Sequence, residues 1–394
     1  MDIELSPRVQ NLKPSPTLAL TARAKALRDA GQDIIGLGAG EPDFDTPEHI
    51  KAAAIAAIQA GQTKYTPVDG TPELKAAVQE KFRSENDLDY GLDQILVSCG
   101  GKHSFYNLCQ ALLGPGDEVV VPAPYWVSYP PMVELAGARP VIVPATQDDD
   151  FKITPERLEA ALTPATRLFV LNSPSNPTGA VYSEDELRAL GAVLARYPRV
   201  VIASDDIYEH ILWGQPRFRN IANVCPELKD RTVVLNGVSK AYSMTGWRIG
   251  YAAGPKALIQ AMKNIQSQST SNPASISQAA ATAALTGDQG FIDEMKAVFK
   301  ARHDAVLKGL NALPGVRCRP ADGAFYLFPD CSGAIKRLGL PDDLALGEFL
   351  LERAGVALVP GSAFGAPGHL RLSFATGMEQ LEAALERLRQ VLPD

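Results

Sequence analysis

Short apolar runs alternate with helical patterns between about residue 50 and residue 255 of the chain. The runs occupy residues 95–98, 118–122, 140–143, 167–172, 200–205, 232–236 and 248–253. Continuous apolar runs of this length are typical of strands that are buried on both faces, and the helices between them supply the crossovers of a parallel sheet. We therefore predict an α/β fold built on a mainly parallel seven-stranded sheet with helices on both sides.

The pattern changes past about residue 280. A long helical pattern at residues 291–313 precedes three short apolar runs, at 324–328, 356–359 and 369–375, and a last amphipathic helix with leucines at 381, 385, 388 and 392. Near the N-terminus, residues 18–30 read as a helix that Gly31 ends. We predict a large cofactor-binding domain at residues 46–285 and a smaller α+β domain formed by residues 1–45 and 286–394.

Composition narrows the class of protein. The chain has 394 residues, 46% of them hydrophobic and 21% charged, as in ordinary globular proteins. No apolar run is long enough to cross a bilayer, and the first residues lack the basic start and apolar core of a signal peptide, so we expect a cytoplasmic protein with no membrane partner. The five cysteines are scattered, which favours free thiols and no metal site. A net charge of −7 argues against a nucleic-acid partner, and it requires local cations to attract any anionic substrate.

The strongest chemical signal is Lys240, which lies in a turn of small residues directly after one apolar run. A lysine held in such a turn is partly desolvated, which makes its amine nucleophilic near neutral pH and able to form Schiff bases. Arg248 stands at the head of the next run, where its planar fork suits a phosphate or a carboxylate. A surface lysine and a strand-edge arginine are the alternative interpretation of the same residues.

Two glycine-rich stretches are similar in composition to nucleotide-binding loops. Residues 36–40 carry glycines at every second position, but their spacing differs from G-x-G-x-x-G and Glu41-Pro42-Asp43 follows where a helix should begin, so we reject a dinucleotide site. Gly100-Gly101-Lys102 follows a predicted strand and precedes a predicted helix. Backbone N–H groups at such a helix start can bind a phosphate, although glycine pairs also form plain turns.

Polar side chains follow the ends of other predicted strands, where ligands bind in open parallel sheets. Asn176 precedes a proline, Asp205 ends an apolar run, and Tyr208 comes three residues later. An aspartate at the end of a buried strand is costly unless it meets a cation, such as a protonated pyridine nitrogen. A turn asparagine, a helix cap and a packing tyrosine are the structural alternatives. Trp126 in a loop could stack on a flat cofactor, and Arg371 on a late strand could clamp a carboxylate.

In order along the chain, these residues form a set of motifs. They are Glu41-Pro-Asp-Phe, Lys64-Tyr65, Gly100-Gly-Lys102, Asn176-Pro-Thr-Gly179, Asp205-x-x-Tyr208, Ser239-Lys240 and Gly246-x-Arg248-x-Gly250. The set resembles the class I/II aminotransferases of fold type I, and it is most similar to the prokaryotic-type aspartate aminotransferases, including the branch that also transaminates prephenate.

The resemblance implies a pyridoxal 5′-phosphate cofactor. It implies that Lys240 holds this cofactor covalently and later moves the substrate proton, that Asp205 pairs with the pyridine nitrogen, and that Tyr208 and Asn176 bind the 3′ oxygen. Trp126 would stack on the ring. The phosphate region would be surrounded by Gly100, Gly101, Lys102, Ser239, Arg248 and Tyr65 of a neighbouring subunit. Shared active sites of this kind imply an obligate homodimer. Many relatives carry a phosphate-binding serine three residues before the lysine, where this chain has Gly237.

The resemblance also implies how substrates bind. The α-carboxylate would be held by Arg371 and Asn176 with the backbone at Gly40, and Trp126 would lie against the substrate as well. Lys102 would meet the distal carboxylate of aspartate or glutamate. A threonine like Thr17 accompanies prephenate use in the resembled branch, and the segment from Lys13 to Thr17 would close over the substrate. We therefore expect transfer of the amino group of aspartate or glutamate to 2-oxoglutarate or oxaloacetate, with prephenate as a second acceptor that yields arogenate.

Three other functions are compatible with parts of the sequence. An aminotransferase for aromatic or other amino acids and a carbon–sulfur β-lyase would both keep the cofactor, but a lyase has little use for a cation at Lys102. The ligand-sensing domain of a transcription regulator is the non-enzymatic alternative, since the same fold is reused there with an added DNA-binding segment. We do not expect it here, because the stretch before the predicted cofactor domain is too short to supply one.

Overall fold

The computed structural model describes residues 3–10, 12, 16–213 and 218–392, and for residues 7, 16–18 and 21 it describes the backbone alone. Its largest sheet has seven strands in the order β2-β8-β7-β6-β5-β3-β4. These strands are β2 (Ile95–Ser98), β3 (Glu118–Ala123), β4 (Arg139–Pro144), β5 (Thr166–Asn172), β6 (Val201–Asp205), β7 (Thr232–Gly237) and β8 (Gly250–Ala253). All neighbours pair in parallel except β8, which is antiparallel to both β2 and β7. The predicted fold class is confirmed.

Side chains alternate between the two faces of this sheet, and both faces are covered. Val119 and Val121 of β3 pack in a buried cluster beneath the helices α5, α6 and α10, whereas Val120 belongs to a cluster on the opposite face. Burial on both faces explains why the strands read as continuous apolar runs rather than as alternating ones. The bounds of the seven strands agree with the prediction to within one residue, with one exception. Strand β8 begins at Gly250 instead of residue 248, so Arg248 lies in the turn before the strand.

The helices connect and cover the strands. The described helices are α1 (Pro7–Gln10), α2 (Pro16–Asp29), α3 (Glu48–Gln59), α4 (Pro72–Asn86), α5 (Gly101–Leu112), α6 (Tyr129–Leu135), α7 (Pro155–Ala161), α8 (Glu184–Ala195), α9 (Ile221–Val224), α10 (Lys256–Ser267), α11 (Ser275–Thr286), α12 (Gly290–Asn311), α13 (Ser332–Arg337), α14 (Asp343–Ala354) and α15 (Met378–Val391). Short 3₁₀ turns lie at Leu92–Gln94, Gln147–Asp149, Pro226–Arg231, Thr245–Trp247 and Gly361–Phe364. Among the described helices, none has both the length and the apolar character needed to cross a membrane.

Two small sheets lie beside the large one. β1 (Ile35–Gly36) pairs in parallel with β10 (Val356–Ala357), which joins the N-terminal segment to the C-terminal part of the chain. β11 (Val359–Pro360), β12 (Leu370–Ser373) and β9 (Tyr326–Leu327) form an antiparallel sheet of three strands. The long helix α12 and the last helix α15 pack on a core with residues of these strands. This arrangement supports the predicted small domain, whose bounds we keep as a proposal.

Candidate active site

A cavity of about 420 Å³ opens where the carboxyl ends of the central strands face the small antiparallel sheet. Parallel β5, β6 and β7 end side by side, with Asn172 opposite Asp205 in the register. The walls are formed by residues from eight separate segments: Ala39, Gly40, Glu41, Gly101, Lys102, Trp126, Val127, Ser128, Tyr129, Asn172, Asn176, Asp205, Ile207, Tyr208, Ser239, Lys240, Thr245, Arg248, Tyr326 and Arg371. The edge predicted from the strand ends is therefore the edge that carries the cavity.

Lys240 lies on the cavity wall three residues beyond the end of β7. Its ammonium donates a hydrogen bond to the carbonyl oxygen of Gly40 and lies 5.8 Å from the ring centre of Tyr208. Burial, with the nearby positive charge of Arg371, lowers the pKa of Lys240 to about 8. A substantial fraction of this amine is therefore neutral, and nucleophilic, near physiological pH.

Asp205 ends β6 and faces the same cavity. The hydroxyl of Tyr129 donates to Asp205 Oδ2, and the backbone N–H of Ile207 donates to Oδ1 at 3.3 Å. Burial raises the pKa of the Asp205 carboxyl, although the Tyr129 hydrogen bond opposes that rise. A buried carboxylate of this kind is stabilised by a cationic partner, which makes it a suitable acceptor for a protonated ring nitrogen.

Two tyrosine hydroxyls meet between the strand ends and the small sheet. Tyr208 and Tyr326 lie 2.8 Å apart at their oxygens, and both residues are buried. Burial raises the pKa of each, so both stay protonated; one hydroxyl donates to the other, which leaves one O–H of the pair for a ligand.

Arg371 lies on β12 and is only 3% exposed, so it is a buried cation rather than a solvent-facing strand residue. Its Nη1 donates to Asn176 Oδ1 at 2.8 Å, and its Nη2 donates to the carbonyl oxygen of Gly38 at 2.7 Å. The guanidinium is stacked between the rings of Tyr326 and Phe364, with centres 4.5 Å and 4.9 Å away. Within the described residues its Nε–H has no partner. These contacts fix the fork and leave donors for a carboxylate in the cavity.

The other end of the cavity is a cup for an anion. Helix α5 begins at Gly101, directly after Gly100, whose φ of +91° is one that glycine adopts without strain. A Cβ atom at Gly100 would stand 2.4 Å from Nη2 of Arg248, so only glycine lets this arginine lie against the helix start. Arg248 is held by the carbonyl oxygen of Thr245 at 2.8 Å. A helix N-terminus flanked by a guanidinium is suited to a phosphate.

Lys102 lines the cavity between this cup and Trp126. Its ammonium lies 5.2 Å from the Trp126 ring centre, and the ring itself packs edge-on against Tyr129 at 5.2 Å. Burial and the nearby Arg248 lower the pKa of Lys102. The side chain is thus placed to meet an anion on the Trp126 side of the cavity, as well as the phosphate cup.

The packing of the sheet explains why position 237 is a glycine. A Cβ atom there would lie 3.0 Å from both Gly250 Cα and the carbonyl oxygen of Ile249, so any larger residue would press on β8. Ser239 lines the cavity and supplies a hydroxyl close to Lys240.

Most of the predicted site residues therefore converge, and two of those whose side chains the structure describes, Gly100 and Tyr65, do not line the cavity. Gly100 lies behind the cup, where it makes room for Arg248. Tyr65 is 91% exposed and is not among the residues that line the cavity of its own chain. Lys13 lies outside the described residues, and Thr17 lies on α2 with its side chain outside them.

The structure adds residues that the sequence analysis missed. Tyr129 and Tyr326 contact Asp205 and Tyr208, and Glu41 accepts a hydrogen bond from Thr245 Oγ1 at 2.8 Å beside the cavity. A signal for Tyr129 was present, since it follows Trp126 by three positions in an aromatic stretch. Tyr326 had no such signal, because it reaches the cavity through packing between segments that are far apart in the chain.

Comparisons with known proteins agree with this geometry. A family model described as aminotransferase class I and II matches residues 32–388. The aspartate/prephenate aminotransferase of Nitrosomonas europaea is 57% identical over 396 residues, which cover 99% of this chain and 100% of that protein. The aspartate aminotransferase of Geobacillus stearothermophilus is 50% identical over 390 residues, 99% of each chain. The solved structure of the aspartate aminotransferase of Thermus thermophilus with maleate superposes with a TM-score of 0.94 at 46% identity and covers 99% of this chain and 100% of its own.

Proposed function

This chain belongs to the class I and II aminotransferases, and we propose that it uses pyridoxal 5′-phosphate to transfer the amino group of aspartate or glutamate to a 2-oxo acid. The observation that carries the proposal is the arrangement of one cavity, with the amine of Lys240, the carboxylate of Asp205 and the guanidinium of Arg371 on its walls. The relatives named for aspartate and for prephenate support the substrate class.

The residues fit this cofactor. The cofactor is one flat molecule with three groups to be bound. The amine of Lys240, with its lowered pKa, suits the aldehyde, and the buried carboxylate of Asp205 suits the ring nitrogen. The helix start beside Arg248 suits the phosphate. When bound, pyridoxal 5′-phosphate supplies an electron-accepting ring for reactions at the substrate Cα. Asp205 would hold a proton on the ring nitrogen, and Trp126 would cover one face of the ring. The hydroxyl of Tyr208 and the amide of Asn176 would donate to the 3′ oxygen.

Arg371 and Asn176 would bind and orient the substrate α-carboxylate. Arg371 already donates to Asn176 and to the Gly38 carbonyl, so the fork is fixed before the substrate arrives and loses little freedom on binding. Its unpaired Nε–H is the natural donor to one carboxylate oxygen. Fixing the carboxylate orients the bond that must break at Cα.

Lys240 would remove the proton from the substrate Cα and donate it again later in the amino transfer, so it would act first as a base and then as an acid. A general base works best when its pKa lies near the working pH, and a pKa of about 8 meets that condition. The lysine follows a turn next to β7 and bonds to the Gly40 carbonyl, so its Nζ is confined to the cavity. The segment that includes Lys13 and Thr17 is proposed to close over the substrate and exclude water.

Lys102 supports the choice of a dicarboxylic donor. Its ammonium reaches the cavity beside Trp126, away from Arg371, so a substrate with two carboxylates would meet one cation at each end. The relative solved with maleate is solved with a dicarboxylate of this kind. We propose prephenate as a second acceptor on the same grounds, since it too carries two carboxylates.

We also propose an obligate homodimer in the cytoplasm, without nucleic-acid or membrane partners. Tyr65 is 91% exposed, and Ile55 and Ile58 of α3, the helix that precedes it in the chain, are 52% and 51% exposed. A second copy seated there would bury these side chains and bring Tyr65 to the phosphate of its neighbour. The division into a large domain at 46–285 and a small domain at 1–45 and 286–394 belongs to the same proposal.

The test is a pair of half-reactions followed by absorbance. The cofactor-loaded enzyme is treated with aspartate, freed of the 2-oxo product, and then given one acceptor alone. We expect aspartate to remove the visible absorbance and both 2-oxoglutarate and prephenate to restore it. Restoration by 2-oxoglutarate alone would limit the enzyme to aspartate and glutamate. Failure of aspartate to change the absorbance, with release of pyruvate from a cysteine conjugate, would replace the proposal with a carbon–sulfur lyase.

A further inference from the structure

A buried polar cluster lies directly behind the residues that are proposed to hold the cofactor. Its members are Lys81 and Asn86 of α4, Asn236 of β7, and Glu209, which follows Tyr208 in the turn after β6. Each of the four is at most 7% exposed. We call them the Glu209 cluster, and none of them lines the cavity.

The carboxylate of Glu209 is the centre of this cluster. Its Oε1 accepts from the Lys81 ammonium and from Asn236 Nδ2, the latter at 2.6 Å, and its Oε2 accepts from Asn86 Nδ2 at 2.6 Å. Lys81 also donates to Asn86 Oδ1 at 2.6 Å. One side chain thus receives three donors from two different elements of the large domain.

These bonds join the two segments that carry the proposed chemistry. Glu209 belongs to the turn of Asp205 and Tyr208, whereas Asn236 stands four residues before Lys240 and accepts from the backbone N–H of Gly237 at 2.7 Å. The backbone adds one further bond, from the N–H of Asp206 to the carbonyl oxygen of Leu235 at 2.9 Å. The Asn236–Glu209 bond is therefore a direct brace between the Tyr208 turn and the start of the lysine loop.

Stability alone is a poor explanation for this cluster. Burying two opposite charges is costly, and a hydrophobic pair of the same volume is often equally stable. A metal site is excluded as well: Glu85, Glu209 and His210 approach one another, but the Lys81 ammonium is bonded to Glu209 there and would repel a cation. Hydrogen bonds are directional, so this cluster fixes the position of the turn that carries Tyr208, which an apolar cluster would not do.

We propose that Glu209 is a positioning residue for the proposed transamination, which sets the place of Tyr208 relative to Lys240 through its hydrogen bond with Asn236. The inference rests on the proposed function. It assigns to Glu209 no contact with substrate or cofactor. Its effect is expected on the steps that need Lys240 and Tyr208, and not on the binding of the α-carboxylate, since Arg371 and Asn176 are held by other elements.

The experiment compares two double variants that lack the buried charges. Lys81→Met with Glu209→Gln keeps an acceptor for Asn236, whereas Lys81→Met with Glu209→Leu removes it at similar volume. Thermal unfolding of both is measured first. For the loaded enzymes we then measure kcat and KM for aspartate, the affinity for pyridoxal 5′-phosphate by equilibrium dialysis, and the pH at which the visible absorbance of the bound cofactor titrates.

We expect kcat of the leucine variant to fall at least about tenfold below that of the glutamine variant, because small displacements of a reacting group are costly. Its KM for aspartate should stay within about threefold, while its absorbance titration shifts and its cofactor affinity weakens. Equal kcat, affinity and titration in two equally stable variants would overturn the inference and leave the cluster a purely structural one.

If the double variants do not fold, the single variant Asn236→Ala tests the role of the Asn236–Glu209 hydrogen bond instead. It keeps the Lys81–Glu209 ion pair and removes the brace together with the hydrogen bond from the Gly237 N–H. The same fall in kcat with an unchanged KM is therefore expected, and wild-type values would overturn the proposal. The wild-type enzyme is assayed first in every series. If it neither binds the cofactor nor turns over aspartate, the proposed function fails, whereas a failure confined to the variants concerns Glu209.

Discussion

Replacing Arg371 with lysine tests how the cavity recognises an amino acid. The guanidinium has five N–H donors, of which the structure engages one with Asn176 and one with Gly38. Three donors remain, enough for two hydrogen bonds to a carboxylate. A lysine ammonium has three donors, so after the same two protein contacts only one would remain for the substrate.

The expected loss is therefore one charge-assisted hydrogen bond, worth about 1.5–3 kcal/mol. This corresponds to a fall of about 10- to 150-fold in kcat/KM. Because every amino donor has the same α-carboxylate, the fall should be similar for aspartate, for glutamate and for a slow neutral donor such as alanine, and it should appear mainly in KM. Stacking on Tyr326 and Phe364 is also lost, but it is lost equally for every substrate.

The assay is steady-state kinetics with the three donors at a fixed, saturating acceptor. Arg231→Lys is the matched control, since Arg231 also donates to backbone carbonyls, those of Leu194, Tyr197 and Val200, but lies outside the cavity. The control should lose stability without a change in kcat/KM. A loss in the Arg371 variant that is confined to aspartate and glutamate would refute the reasoning and assign Arg371 to the distal carboxylate instead.

Three further predictions concern the rest of the cavity. Burial lowers the pKa of Lys240 to about 8, so the neutral and reactive fraction of its amine should reach half its maximum near pH 8, well below the pH expected for an exposed lysine. The test measures, as a function of pH, the rate at which an amine reagent labels Lys240 in the cofactor-free enzyme. Mass spectrometry locates the label, which should be absent from Lys240→Ala. Lys102→Ala should lower kcat/KM for aspartate and glutamate by about 10- to 100-fold, the worth of one charged hydrogen bond, and for alanine by much less; equal losses would mean that Lys102 serves the phosphate alone. Tyr129→Phe removes the hydrogen bond that opposes the raised pKa of Asp205, so that pKa should rise further and the acid limb of the kcat/KM profile should move to higher pH. An unmoved limb would contradict the assignment.

Much of the fold was readable because its strands are buried on both faces. Residues 233–235 of β7, for example, are apolar without interruption, and the neighbouring strands β6 and β8 pair with both edges of β7. Strand boundaries were less certain where the backbone turns. Arg248 adopts a φ of +59°, a left-handed turn conformation that is uncommon for arginine and that the sequence does not indicate. The prediction therefore placed it on the strand.

The site was predictable to the extent that it follows strand ends. Asp205, Asn176 and Lys240 each come directly after a buried run, and parallel strands bring such positions to one edge. Tyr129 and Tyr326 were missed because they reach the site through packing between segments far apart in the chain. The same is true of Glu209, which sequence alone would leave as an acidic residue beside a tyrosine.

The distribution of charge shows why the cavity suits an anionic amino acid although the whole chain carries a net charge of −7. Its walls include the cations Lys102, Lys240, Arg248 and Arg371 against the acids Glu41 and Asp205. In a confined space of low dielectric these charges outweigh the distant surface field. Since Asp205 would be neutralised by a protonated ring, the remaining cations face the phosphate and the two carboxylates of a dicarboxylic substrate. Raising the ionic strength should therefore weaken the attraction of a carboxylate to Arg371, which is buried, less than its attraction to Lys102 and Arg248, which are exposed.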